Sequence, residues 1–247
     1  MLTGTASIDE LSAHISTLES FDTPGVSLRD VEVLQSLFEI RIGGRQACLP
    51  SGLHPTNPPT FIFQFWNCPD SEWGPFRLAQ GRVGCRSGLR PRGLVQGCVC
   101  DNAAAVNALR TRWGLPARLG DVTFLRRYDA VTATARVDGV LVAALTARDA
   151  EPLGPDDVAY TTSVALAETP RGRRLVQIDT DLHVERAERV KPTLEAFDAP
   201  GWVHASVQPY HAVSASIAVA TIDIRPLRFV SKADELAFSG TESVGGH

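Results

Sequence analysis

Lysine is almost missing from this chain. Only Lys191 and Lys232 occur among 24 basic side chains in 247 residues, so imine chemistry has two side-chain amines to draw on. Long apolar runs are missing as well. None reaches the roughly 18 residues that a membrane-spanning helix needs, and no membrane partner is expected. Residues 1–10 carry neither the basic flank nor the apolar stretch of a signal peptide. A cytoplasmic protein is the expectation. With a net charge of −4 there is no positive excess to attract nucleic acid. The five cysteines, at 48, 68, 85, 98 and 100, are an odd number, which fits reduced thiols better than a disulfide framework. Cys98 and Cys100 share a strand face rather than forming a C-x-x-C pair, so small core residues are expected there and no metal. A G-x-S-x-G elbow, a P-loop and an H-E-x-x-H helix are all absent, and Gly81-Arg-Val-Gly84 is too short to cradle a phosphate. No cofactor is expected.

What is present is a globular composition, with 44% hydrophobic and 21% charged residues. The length suits one domain, expected over 1–230, with a polar, frayed tail over 231–247. Apolar residues at 8, 11, 15 and 18 predict a helix, with Ser7 and Glu10 as its capping box. Strands are predicted over 31–42, 60–66, 77–86, 93–100, 122–126, 130–137, 140–147, 160–166, 175–186, 203–207 and 216–227. Arg136-Val-Asp-Gly139 is a hairpin turn signal. One helix stands out, Ala103 to Trp113, with Asp101 expected as its N-cap and Gly114 and Pro116 ending it. One helix among many antiparallel strands predicts an α+β fold, mainly antiparallel β, whose sheet curls into a barrel or cone.

The segment Asp101-Asn-Ala-Ala-Ala-Val-Asn-Ala-Leu-Arg-Thr-Arg-Trp-Gly-Leu-Pro-Ala-Arg-Leu-Gly120 resembles the acetoacetate decarboxylase family's D-N-[DE]-x-A-I-x-x-G-R-E-x-x-G-x-P-K-K-L-G. Four more passages follow the family order. They are Leu49-Pro-Ser-Gly-Leu-His54, Pro58-Pro-Thr-Phe-Ile-Phe-Gln-Phe65, Lys191-Pro-Thr-Leu-Glu-Ala-Phe197 and Gln208-Pro-Tyr-His-Ala-Val213. The resemblance implies a double β-barrel-like core around a buried pocket, with the 114–120 loop beside it. It implies a small-molecule substrate and, as a further expectation, a homo-oligomer.

Carried over position by position, the resemblance implies a site that has lost most of its charge. The family arginine falls near Gln35, one glutamate on Gln64 and the other near Leu78. The Schiff-base lysine falls on Ala117 and its neighbour on Arg118. Acetoacetate decarboxylase is itself the standard illustration of an amine made nucleophilic by a nearby cation. Here a cation remains and the amine does not. Arg118 is the first candidate for holding an anionic oxygen, with Gln64 able to donate to a carbonyl but not to shuttle a proton. Gln35, Leu78 and Ala117 are candidate pocket residues, and Trp66 shares the Gln64 face on a regular strand. Candidate titrating groups are His211 and Tyr210, with Glu72, Asp70, His54 and His204 behind them. Asp179, Asp181, His183 and Glu185 alternate on one strand face, a pattern that fits a solvated face better than a metal site. The resemblance points to an enzyme of specialised, antibiotic-type metabolism that works on a keto/enol or carboxylate intermediate without an imine. The alternative is a non-catalytic ligand-binding or scaffolding relative.

With Ala117 at the nucleophile position, acetoacetate plus borohydride should leave no adduct detectable by mass spectrometry. A stoichiometric adduct on Lys191 would show that the amine has moved elsewhere in the pocket.

Overall fold

Alternating apolar and polar residues dominate the chain, and the strands they produce join one sheet. The computed structural model describes residues 2–245; Met1 and the last two residues of the expected tail, Gly246 and His247, lie outside the described residues. In chain order the strands begin with β1 (Ser16–Thr17), β2 (Val26–Ile40), β3 (His54–Pro55), β4 (Thr60–Cys68), β5 (Phe76–Ser87) and β6 (Arg90–Cys100). They continue with β7 (Ala117–Leu119), β8 (Asp121–Arg126), β9 (Ala130–Val137), β10 (Val140–Leu153) and β11 (Ser163–Thr169). The last are β12 (Gly172–Ile178), β13 (Thr180–Phe197), β14 (Pro209–Ile224), β15 (Phe229–Ser231) and β16 (Thr241–Ser243). Their hydrogen-bonded order is β16-β15-β12-β11-β6-β5-β4-β2-β14-β13-β10-β9-β8, with β1 on β11, β3 on β5 and β7 on β6. Among the described residues, the parallel pairings are β1–β11, β6–β11 and β6–β7. The fold is mainly antiparallel β, as expected, and Ala103–Trp113 is its longest described helix.

The middle of this sheet is buried on both faces. Phe61, Phe63 and Phe65 of β4 point into one core, where Phe38, Phe197 and Trp202 join them. Their rings meet mostly edge to face, with Phe61 and Phe63 centroids 4.8 Å apart. Trp66 and Cys68, on the alternate face, point into a second core with Leu78 and Cys98. The Ala103–Trp113 helix closes this second core through Ala105, Leu109 and Trp113, spaced four apart on one face. Gly114 ends the helix at φ 68°, a left-handed conformation that glycine adopts without strain. The last-turn Arg110 then holds the Ala117 carbonyl at 3.0 Å, which fixes where β7 begins.

Several local expectations change. The first helix stops at Leu11 and a 3-10 turn covers Ser12–His14, although the Ser7–Glu10 capping box forms. The chain leaves helical geometry there so that Ser16 and Thr17 can pair with β11. Asn102, not Asp101, caps the long helix, accepting from the Ala104 and Ala105 amides. Asp101 instead accepts from the Arg77 amide at 2.6 Å. The predicted strand 203–207 is absent. Residues 199–202 form a helical turn, and Val207 N–H bonds the His204 carbonyl, so the backbone is satisfied locally. Among the described residues beyond Ser231 the chain is tied down: β16 pairs with β15 and Lys232 N–H bonds the Gly240 carbonyl.

Asp179 leaves the solvated set that its spacing suggests. It sits between β12 and β13 and binds Arg92 at 2.8 Å and Arg228 at 2.9 Å. Arg92 is 1% exposed. Burial alone would raise the Asp179 carboxyl, but the bonds from Arg228 and Arg92 outweigh it and hold it below its usual 3.8. Asp181 and His183 remain in exposed pairs with Arg225 and Asp223. Asp179→Asn would strand a buried guanidinium and should cost about 3–5 kcal/mol in urea unfolding. Asp181→Asn should cost far less. Because the folded carboxyl titrates below the unfolded one, the Asp179 contribution should be complete above about pH 4 and fall away in more acid solution. Equal effects for the two variants would show that Asp179 is not holding Arg92.

Candidate functional site

The register of five strands builds one polar rung across the buried sheet. Gln35 of β2 faces Gln64 of β4, Gln64 faces Gln80 of β5, Gln80 faces Cys98 of β6, and Cys98 faces Ala117 of β7. Direct partners project to the same side, so all five belong to the second core's face. Gln35, Gln64 and Gln80 are each at least 96% buried. The expected positions Gln35, Gln64 and Ala117 are thus brought together. Leu78 lies one rung away, opposite Trp66 and Cys100. The third amide of the rung is Gln80, two residues along the same strand face.

A residue that the sequence pattern did not single out dominates this site. Arg82 follows Gln80 on the strand face and is fully buried. Its guanidinium donates to Gln35 Oε1 at 3.2 Å, to the Thr161 carbonyl at 2.8 Å and to Ser163 Oγ at 3.1 Å. It also lies over the Tyr160 ring, 5.9 Å from the centroid. Among the described residues no carboxylate pairs with it. Gly93 makes this placement possible, because a Cβ there would stand 3.1 Å from Arg82 Cβ. Desolvation lowers the Arg82 pKa from the usual arginine range, and the neighbouring Tyr160 acts the other way.

The rung's other atoms are poised for further bonds. Gln64 Nε2 donates to Gln35 Oε1 at 3.2 Å, whereas Gln64 Oε1, Gln80 Oε1 and Arg82 Nε are buried with no protein partner. Trp66 Nε1, in the adjoining rung, is likewise unpartnered. Each such group costs about 1–3 kcal/mol when left unmatched. Burial pushes the Cys98 thiol well above its usual 9.0, with Cys100 adding to the rise and Arg118 opposing it, so the rung contains no thiolate. Its chemistry is that of hydrogen-bond donors and acceptors around one cation.

Residues 154–162 form a strap over the Arg82 end. Gln35 Nε2 donates to the Ala159 carbonyl, and Thr161 and Tyr160 meet Arg82 as above. Outside the strap, Gln35 forms part of the wall of a cleft of about 570 Å³ shared with Leu37, Asp157, Ala159, Lys191 and Ser216. Lys191 lines this cleft, but it is exposed and bonded to Asp149 at 2.9 Å. That bond raises its pKa further above 10.5, keeping it protonated and non-nucleophilic.

The remaining candidates lie elsewhere. Arg118 follows Ala117 on a strand, so it projects to the opposite side of β7, where its Nη2 donates to the Gly201 carbonyl at 3.2 Å. Tyr210 and His211 are exposed near the start of β14, with the Tyr210 hydroxyl bonded to Glu39 at 2.7 Å. Glu72 pairs with Arg112. His54 is buried with Nδ1 3.1 Å from the Leu2 carbonyl, and His204 packs on Ser206. Asp70 is exposed. The signal for Arg82 was present as the alternating pair Gln80-x-Arg82, but it becomes legible only when the β4–β5–β6 register is known.

Against known families, residues 17–232 match the model for acetoacetate decarboxylase. The chain belongs to the acetoacetate decarboxylase family. Acetoacetate decarboxylase from Legionella pneumophila superposes with a TM-score of 0.74 at 18% identity, over 90% of this chain and 94% of that one. An acetoacetate decarboxylase-like enzyme from Sphingomonas wittichii gives 0.69 at 15%, over 83% and 92%. The enduracididine biosynthesis enzyme MppR, in complex with pyruvate, gives 0.66 at 15%, over 92% and 97%. These identities establish a shared fold. No protein of curated function matches the chain by sequence.

Proposed function

We propose that this protein is a small-molecule enzyme of specialised, antibiotic-type metabolism, acting on a keto/enol or carboxylate intermediate without a Schiff base. The observation that carries the reading is Arg82, a fully buried guanidinium held by neutral acceptors alone. A cation in that setting is completed by an anion that arrives with the ligand. The substrate's carboxylate or enolate oxygen takes the Arg82 fork, replacing the Thr161 carbonyl as the strap gives way. The Gln64 and Gln80 amides then meet a carbonyl or enol group further along the rung. Such donors act where charge develops in an enolate-like transition state. Dehydration, cyclisation, isomerisation and non-imine decarboxylation all fit that role. Tyr160, whose ring lies against Arg82, offers a hydroxyl that the amides lack. The occurrence of a pyruvate-bound biosynthetic enzyme on the same fold supports the substrate class.

A second reading has one specific observation in its favour. The rung itself has no group that titrates near neutrality, which suits a non-catalytic ligand-binding relative. Turnover separates the two readings, and Tyr160→Phe should abolish it with little loss of ligand affinity if the enzyme reading holds.

The direct test is binding of small oxo acids, pyruvate and acetoacetate first, by calorimetry. Arg82→Met should weaken binding roughly 10- to 150-fold, the effect of losing charged hydrogen bonds worth about 1.5–3 kcal/mol. Arg82→Lys should recover part of it, because an ammonium cannot reproduce the planar fork. Affinity unchanged in Arg82→Met would remove Arg82 from the site.

A further inference from the structure

We infer that the protein carries a second small-ligand pocket, for an apolar monocarboxylate, on the side of β7 opposite the amide rung. A cavity of about 380 Å³ lies there, between the first helical segment, β6, β7 and the 200–205 loop. That volume is at the lower end of those that hold small organic ligands. Its walls are largely apolar, with Leu11, Ile15, Leu94, Leu166 and Trp202 among them. Gly97 sets Trp202 in place: a Cβ there would come within 2.4 Å of the Trp202 carbonyl oxygen and 2.7 Å of its ring.

Arg118 and His204 bring hydrogen-bond donors to this apolar space, which His14 and Gln96 also line, with Gln96 Nε2 already donating to the Cys48 carbonyl at 2.9 Å. Arg118 makes one hydrogen bond, from Nη2 to the Gly201 carbonyl, and no carboxylate pairs with it among the described residues. The second donor is His204. Its Nδ1 accepts the Ser206 amide at 3.2 Å and faces Ser206 Oγ at 2.6 Å. With Nδ1 accepting from the Ser206 amide, the ring N–H is on Nε2, which has no protein partner among the described residues. Arg118 and His204 therefore present N–H groups and no lone pair to a ligand. Glu10, the carboxylate at the cavity, is turned to the Ser7 amide in the helix cap. One guanidinium and one imidazole N–H suit a carboxylate, and the walls call for an apolar body behind it.

The site is separate from the one assigned to the reaction, because Ala117 and Arg118 project to opposite faces of one strand. The experiment can use benzoate and hexanoate as probes, with benzamide as the uncharged match, followed by calorimetry and by the His204 ring resonance among six histidines. Saturable binding of the carboxylates, with a shifted His204 signal and at least tenfold weaker benzamide, is expected. Arg118→Gln should weaken carboxylate binding about tenfold or more, whereas Arg82→Met should leave it unchanged. Binding lost in Arg82→Met and kept in Arg118→Gln would place the probe at the amide rung and overturn the inference. Absence of saturable binding at tens of millimolar probe, with the wild-type fold intact, would overturn it as well.

Discussion

A guanidinium removed from water must be matched by something, and around Arg82 the match is entirely neutral. Three acceptors and an aromatic face surround it. Arg92, nearby on β6, shows the other solution, with Asp179 bonded at 2.8 Å. The contrast separates two roles for buried arginines in one sheet. Arg92 is complete within the protein and ties β6 to the β12–β13 junction. Arg82 is surrounded by carbonyl and hydroxyl dipoles and pairs with no carboxylate among the described residues, and on the proposed reading its charge serves a ligand.

The four family positions explain why such a cation appears here. As the resemblance reads them, an arginine, two glutamates and a lysine give a rung whose charges cancel. The resemblance puts those positions on or near Gln35, Gln64, Leu78 and Ala117, and in the rung itself the residue beside Gln64 is Gln80. Loss of the amine is thus accompanied by loss of both acids, and the rung itself is neutral. Arg82 then adds one positive charge at its end. On the proposed reading, a site that takes an anion electrostatically is a different device from one that forms an imine. On the same reading the strap over 154–162 has a double part, since its carbonyls hold Gln35 and Arg82 and give way to the ligand.

Much of the fold could be read from local pattern. The Phe61-x-Phe63-x-Phe65 alternation marks a strand with a buried face, Gly114 marks a helix end, and the Asp138-Gly139 pair marks a hairpin. Gln35, Gln64 and Ala117 were reached through the family order of motifs, and strand register places them side by side. What could not be read depends on contacts distant in the chain. Gln80 replaces Leu78 in the rung because the β4–β5 register sets the match, and the two residues share a face that pattern cannot divide. Arg82 depends on the missing side chain at Gly93 and on a strap from a different part of the chain. Arg118, the first candidate by sequence, faces away from the rung, because adjacent residues on a strand point apart. Val203–Val207 has strand-like composition, but the His204 ring takes the Ser206 amide and the segment turns.

The central claim is that the Arg82 charge serves a ligand and does not hold the fold together. The stability of Arg82→Met without ligand, measured by urea unfolding, tests this most directly. Replacing an uncompensated buried cation by an apolar side chain of similar length removes a desolvation cost and keeps most of the packing. The account predicts a variant at least as stable as the parent, within about 1 kcal/mol or better. A loss of about 3 kcal/mol or more, the cost expected on breaking a buried structural charge contact, would contradict it and make Arg82 a strut between β5 and the strap.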